Sequence, residues 1–204
     1  HILVSESRSD WRQVEAVPTR STLTAVTTVG EQAWAVGHDG VILHSADGGE
    51  TWHIAGGTAE GPDVLLAIRV EADGRGLAVG GFGLARATAD GGKTWAPITL
   101  LDGEAGEKHL NRIFVSAAGT WLIAAEGGHV LRSADRGEVQ AMKWAAIATP
   151  YKGSLWSGTP LAGGVLLACG MRGNVVRSVD DGRSWTHQAI AGAGSLTGIA
   201  PLAD

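Results

Sequence analysis

The chain has 204 residues, 44% of them hydrophobic and 18% charged, with 31 glycines and a formal net charge of −5. That profile belongs to a globular, turn-rich chain. A negative balance without any lysine or arginine run excludes sequence-independent binding to nucleic acid and disfavours anionic membranes. No apolar run approaches the roughly 18 to 20 residues that span a bilayer, so no transmembrane segment is expected. The single cysteine, Cys169, excludes an intramolecular disulfide and reads as a small buried strand residue.

In chain order, HILVS from His1 to Ser5 and WRQV from Trp11 come first. LTAVTTV (from Leu23), AWAVG (Ala33), VILHS (Val41) and WHIAG (Trp52) follow, four strand-length segments separated by glycine or Asp-Gly turns. Such a run predicts a four-stranded antiparallel meander. The pattern returns as LLAIRV, GLAVG, GLARAT and TWAPI from Leu65, then as LNRIFV, WLIAA, HVLRS and KWAAI from Leu110. It returns once more as LWSGTPL, VLLACG, NVVRS and SWTHQAI from Leu155. The expected units are 1–20 (partial), 21–64, 65–108, 109–153, 154–193 and 194–204 (partial), within one domain. SLTGIAPL, from Ser195 to Leu202, aligns with a first strand, and HILVS and WRQV align with a third and a fourth. The ends are therefore complementary pieces of one unit that lacks its second strand. Either a three-stranded composite sheet seals a five-unit ring, or the chain is a fragment of a larger ring, which the missing strand favours.

The repeat is marked by an eight-residue box, SADGGETW from Ser45, which recurs as TADGGKTW from Thr88 and SVDDGRSW from Ser178. The third copy departs: SADRG from Ser133 has Arg136 in a glycine position and delays Trp144, predicting a longer hairpin. Asp47, Asp90, Asp135 and Asp180 are spaced by 43, 45 and 45 residues, a period that means stacked or radially arranged units. Within each box the aspartate accepts bonds from the turn's amides, and Gly49, Gly92, Gly137 and Gly182 tolerate positive φ. The hydroxyls of Ser45, Thr88, Ser133 and Ser178 cap the turn. Trp52, Trp95, Trp144 and Trp185 supply large apolar wedges between sheets. The box is thus structural, and function is expected where the copies differ.

The pattern S/T-x-D-x-G-x-x-W after a hydrophobic strand resembles the Asp-box, or bacterial neuraminidase repeat, of β-propellers. GHDGVILHSADGGETW and GMRGNVVRSVDDGRSW most resemble the photosystem II stability/assembly factor family. The resemblance implies an all-β propeller with four complete blades plus a partial fifth. It also implies an exported, periplasmic or lumenal, non-enzymatic scaffold that binds another protein. Arg132 and Arg177 match that family's basic position before the box serine, a column that also holds His44. With Tyr151, the only tyrosine, they form the expected partner-binding set.

The alternatives are a sialidase-like glycoside hydrolase, for which Tyr151, Glu126, Arg69 and Arg112 are the only nominees, and a glycan-binding propeller. No catalytic residue is assigned. The seven histidines lack the close spacing of a zinc site, His38 and Asp39 share a turn read as solvated, and GGFG from Gly80 has no following helix to cradle phosphate. No metal or cofactor is expected.

Overall fold

The computed structural model describes residues 1–7, 9–57, 62–192 and 194–201. Alternating and continuous apolar segments become strands where the repeat places them. β1 (Leu3–Val4) pairs with β2 (Arg12–Gln13). β3 (Leu23–Val29), β4 (Gln32–Gly37), β5 (Ile42–Ser45) and β6 (His53–Gly56) form the first complete antiparallel sheet. The second comprises β7 (Leu65–Val70), β8 (Gly76–Gly80), β9 (Ala85–Thr88) and β10 (Ala96–Pro97). The third comprises β11 (Leu110–Val115), β12 (Trp121–Ala125), β13 (His129–Ser133) and β14 (Ala145–Ala148). The fourth comprises β15 (Leu155–Pro160), β16 (Leu166–Gly170), β17 (Asn174–Ser178) and β18 (Thr186–Ala189). Each is an up-and-down meander in sequence order.

The first strands β3, β7, β11 and β15 lie beside one another in turn, which places them at the centre of a radial array. The second strands are buried on both faces; all residues of β8 and β12 are inaccessible. That double burial explains why these segments are continuous rather than alternating in hydrophobicity. The apolar core is divided into layers between consecutive sheets. One layer joins Trp34, Val36 and Ile42 to Leu65 and Ile68, a second joins Leu77 and Val79 to Leu110 and Trp121, and a third joins Phe114 and Leu122 to Leu155 and Leu166. A fourth sets Ile2, Val4 and Val14 against Ala33 and Leu43. Each box tryptophan packs in the layer between its own sheet and the preceding one: Trp52, Trp95, Trp144 and Trp185.

Of the two alternatives for the ends, the sealed five-unit ring is not formed among the described residues. From Ser195 onward the chain runs without a strand ladder, tied by Leu196 N–H to the Gly170 carbonyl; Leu202 lies outside the described residues. Among the described residues β1 pairs with β2 alone, so the composite three-stranded sheet is not formed and the ring is not closed. Trp11, which opens the segment aligned with a fourth strand, is 61% exposed rather than wedged between sheets. An apolar groove of about 450 Å³ instead runs between β1 and β3.

Candidate functional site

The box closes each hairpin through its own polar atoms. Ser45 Oγ donates to Asp47 Oδ1 (2.7 Å) and accepts from the Gly49 amide (2.9 Å). Asp47 also accepts from the amide and hydroxyl of Thr51, at 2.9 and 2.5 Å. Thr88, Asp90 and Thr94 repeat the arrangement, as do Ser178, Asp180 and Ser184. The hydroxyl before the tryptophan is a functional part of the box that the sequence pattern omitted. Its signal was the Thr, Thr, Ser identity of that column. In the irregular third copy Asp135 accepts the more distant Lys143 amide (2.6 Å), across a short 3₁₀ turn at Val139–Ala141.

These bonds favour ionised carboxylates. The Thr51 hydroxyl and amide, then Ser45, hold Asp47 well below the usual carboxylate range. The Thr94 amide and hydroxyl bring Asp90 to about 2, and the Ser184 hydroxyl and amide bring Asp180 to about 2. Acids held ionised inside turns are unsuited to donating a proton to a leaving group.

The partner-binding set is scattered along the array. Arg132 is only 14% exposed in its side chain and reaches across to the fourth sheet. There Nε donates to the Asp181 carbonyl (2.8 Å) and Nη2 to Asp181 Oδ2 (2.9 Å). Ser116 and Thr120 complete this cluster by donating to the same carboxylate at 2.6 and 2.5 Å. Burial alone would raise Asp181, but these three partners outweigh it and hold the carboxyl low. Arg177, at the matching position one sheet later, makes no side-chain hydrogen bond or ion pair among the described residues. His44 stacks on Trp34 and bonds Gln32 Oε1 at 2.7 Å; burial first, and then nearby His53, lowers its pKa. Tyr151 lies parallel to the His187 ring, with its hydroxyl 3.4 Å from the Met171 carbonyl.

The glycosidase nominees do not assemble. Arg69 is paired with Glu71, Glu126 accepts the His109 amide at 3.3 Å, and Tyr151 stands at His187. Arg112 alone enters a cavity, at the centre of the array. No metal-ligating group of three or more His, Cys, Asp or Glu is present among the described residues. Cys169 is buried, and burial raises its pKa, as befits an unreactive strand thiol.

Divergence between copies concentrates at one end of the sheets. Every first strand has a bulge at its second residue: the ladders skip Thr24, Leu66, Asn111 and Trp156, each preceded by a leucine. A bulge re-aims the side chain it carries, and all four line the central cavity. At the same end, the turns between second and third strands hold their middle residue at positive φ. That residue is Asp39 (60°), Phe82 (53°), Gly127 (68°) and Arg172 (55°) in successive sheets. Phe82 is 82% exposed and meets His109 edge-on. The sequence missed both features because bulges and left-handed turns leave no periodic signal.

Sheets packed face to face around a common centre, with the wedge residue of each in the layer before it, define a β-propeller. More particularly, the fold is that of the YCF48 type. YCF48 from Cyanidioschyzon merolae is similar over 94% of this chain and 63% of its own, at 21% identity and a TM-score of 0.68. A structure described as YCF48 bound to D1 peptide matches 89% of this chain and 59% of its own, at 18% identity and a TM-score of 0.63. An ancestral GH74 enzyme matches 84% of this chain but 24% of its own, at 15% identity and a TM-score of 0.63. This chain therefore spans about three fifths of the length of the YCF48 structures. No protein-family model and no curated protein matches it.

Proposed function

We propose that the chain is a non-enzymatic, exported scaffold that binds a segment of another protein through the end of the propeller where its copies diverge. The observation that carries this reading is Phe82, a bulky residue held exposed in a left-handed turn where glycine would cost less. Exposed aromatic and arginine side chains, here Phe82 and Arg172, are the usual anchors of protein interfaces, and the half-buried Tyr151 stands beside them at the Met171 carbonyl. The peptide-bound YCF48 structure supports the same class of partner. The repeated hairpins are read as Asp-boxes with a folding role. Arg132 is better read as a clamp between sheets than as a contact, which leaves Arg177, Tyr151 and His44 as the flank residues open to a partner.

The test pairs binding with catalysis. On an array of extended peptides blocked at both ends, the wild-type chain is expected to bind a subset, and Phe82→Ala to lose it without a change in thermal unfolding. Sialosides and β-glucans are expected to pass unhydrolysed. Turnover abolished by Tyr151→Phe would replace the scaffold reading with the hydrolase one.

A further inference from the structure

The central cavity has a volume of about 670 Å³, within the range of small-ligand sites. Its wall is built by repetition and chemically differentiated by substitution. Thr24, Leu66, Asn111 and Trp156 enter from the four bulges, and Thr197, which also follows a leucine, enters from the final segment. Two of them brace the array: Thr24 Oγ1 donates to the Leu65 carbonyl (2.5 Å) and Asn111 Nδ2 to the Leu155 carbonyl (2.9 Å), each one sheet further on. The carbonyl acceptor fixes the orientation of the Asn111 amide. Leu66 and Trp156, at the alternate positions, make no such brace, and the Trp156 ring is 39% exposed.

Arg112, beside the Asn111 bulge, is the one ionisable residue in this wall among the described residues. It is exposed and makes no hydrogen bond or ion pair among the described residues. A cation with no counter-charge among the described residues, in a protein of net charge −5, makes the cavity a local positive focus. A guanidinium presents paired donors that match a carboxylate. The indole of Trp156 and the side chain of Leu66 offer apolar surface in the same space.

We infer that the central cavity binds a carboxylate carried next to an apolar or aromatic group, with Arg112 on the carboxylate and Trp156 against the apolar part. This chemistry is shared by the free end of a polypeptide with an apolar last residue and by a small N-acylated amino acid. The inference rests on the reading that this end of the propeller is the binding face.

Fluorescein-labelled hexapeptides ending in phenylalanine, as free acid and as amide, titrated by fluorescence anisotropy against the 204-residue chain, test it. The free acid binds at least about tenfold more tightly than the amide. Arg112→Gln removes that preference, Arg112→Lys restores part of it, and Trp156→Ala weakens both forms. Lys93→Gln, an exposed residue of a box turn away from the cavity, changes neither. Competition by N-acetylphenylalanine at concentrations comparable to the unlabelled hexapeptide assigns the site to small molecules, and its failure to compete assigns it to chain ends; both outcomes support the carboxylate site. Equal binding of acid and amide, no binding of either, or an acid preference that survives Arg112→Gln overturns it. If blocked peptides still bind in a Phe82-dependent manner, the scaffold reading stands while this inference falls.

Discussion

Phe82 and Arg172 occupy the same turn position as Gly127, yet each carries a side chain into a backbone region where the Cβ is crowded by its own carbonyl. Such a residue costs about 1 kcal/mol. Phe82→Gly is therefore expected to raise unfolding stability by up to about 1 kcal/mol, measured by denaturant titration, while weakening peptide binding. An unchanged or reduced stability would remove the strain argument. Arg132 illustrates the opposite use of a diverged position. Its guanidinium and the hydroxyls of Ser116 and Thr120 satisfy a partly buried Asp181. Arg132→Ala should cost about 1–3 kcal/mol by leaving that carboxylate short of donors. Combining it with Asp181→Asn should cost less than the sum of the single changes. Additive losses would show that the pair is not coupled.

The hairpin closed by the box is the element that repeats, and its tight turn explains why glycine recurs there. Gly92 has φ of 80°, and a Cβ on it would run into the Trp34 indole of the preceding sheet. Gly92→Ala combines a left-handed backbone with overpacking and is expected to destabilise by about 2–4 kcal/mol, a loss readable in the denaturation midpoint. The carboxylates give the element an acid limit. Folded Asp90 and Asp180 titrate near 2, below the ordinary 3.8, so the unfolded chain binds more protons between those values. Stability rises with pH in that window. It should therefore hold from neutrality down to about pH 4 and decline toward pH 2, with Asp90→Asn flattening the decline. A loss beginning near pH 6 would point to other groups. The box was legible in the sequence because its Asp, Gly and Trp serve local geometry that recurs at the first, second and fourth copies, while in the third Gly137 is not at positive φ and Asp135 reaches a later amide. The hydroxyls of Thr51, Thr94 and Ser184 were equally regular; they escaped notice because a hydroxyl in that column fits an ordinary exposed strand start.

At the scale of the whole molecule, a stacked or radial array followed from periodicity, since a unit of about 45 residues can bury its faces only against copies of itself, and the propeller followed from the resemblance of the box. Closure did not follow. Aligning Ser195–Leu202 with a first strand was sound as a pattern, but strand formation needs a partner edge, and none is paired with that segment among the described residues. The candidate site was half legible. Arg177 and Tyr151 stood out as diverged residues and Arg112 only as a glycosidase nominee, whereas the place of Arg112 in the cavity depended on bulges that no spacing encodes. The structure moves the centre of interest from the flank column, where Arg132 is engaged, to the end bearing Phe82 and the central cavity. The most direct measurement is a ¹H–¹⁵N spectrum of the tryptophan indoles during titration with the free-acid hexapeptide. The account predicts that the Trp156 signal moves while those of Trp52, Trp95 and Trp185 stay fixed. Movement of the three wedge signals, or of backbone amides around Lys93, with Trp156 unmoved would contradict it.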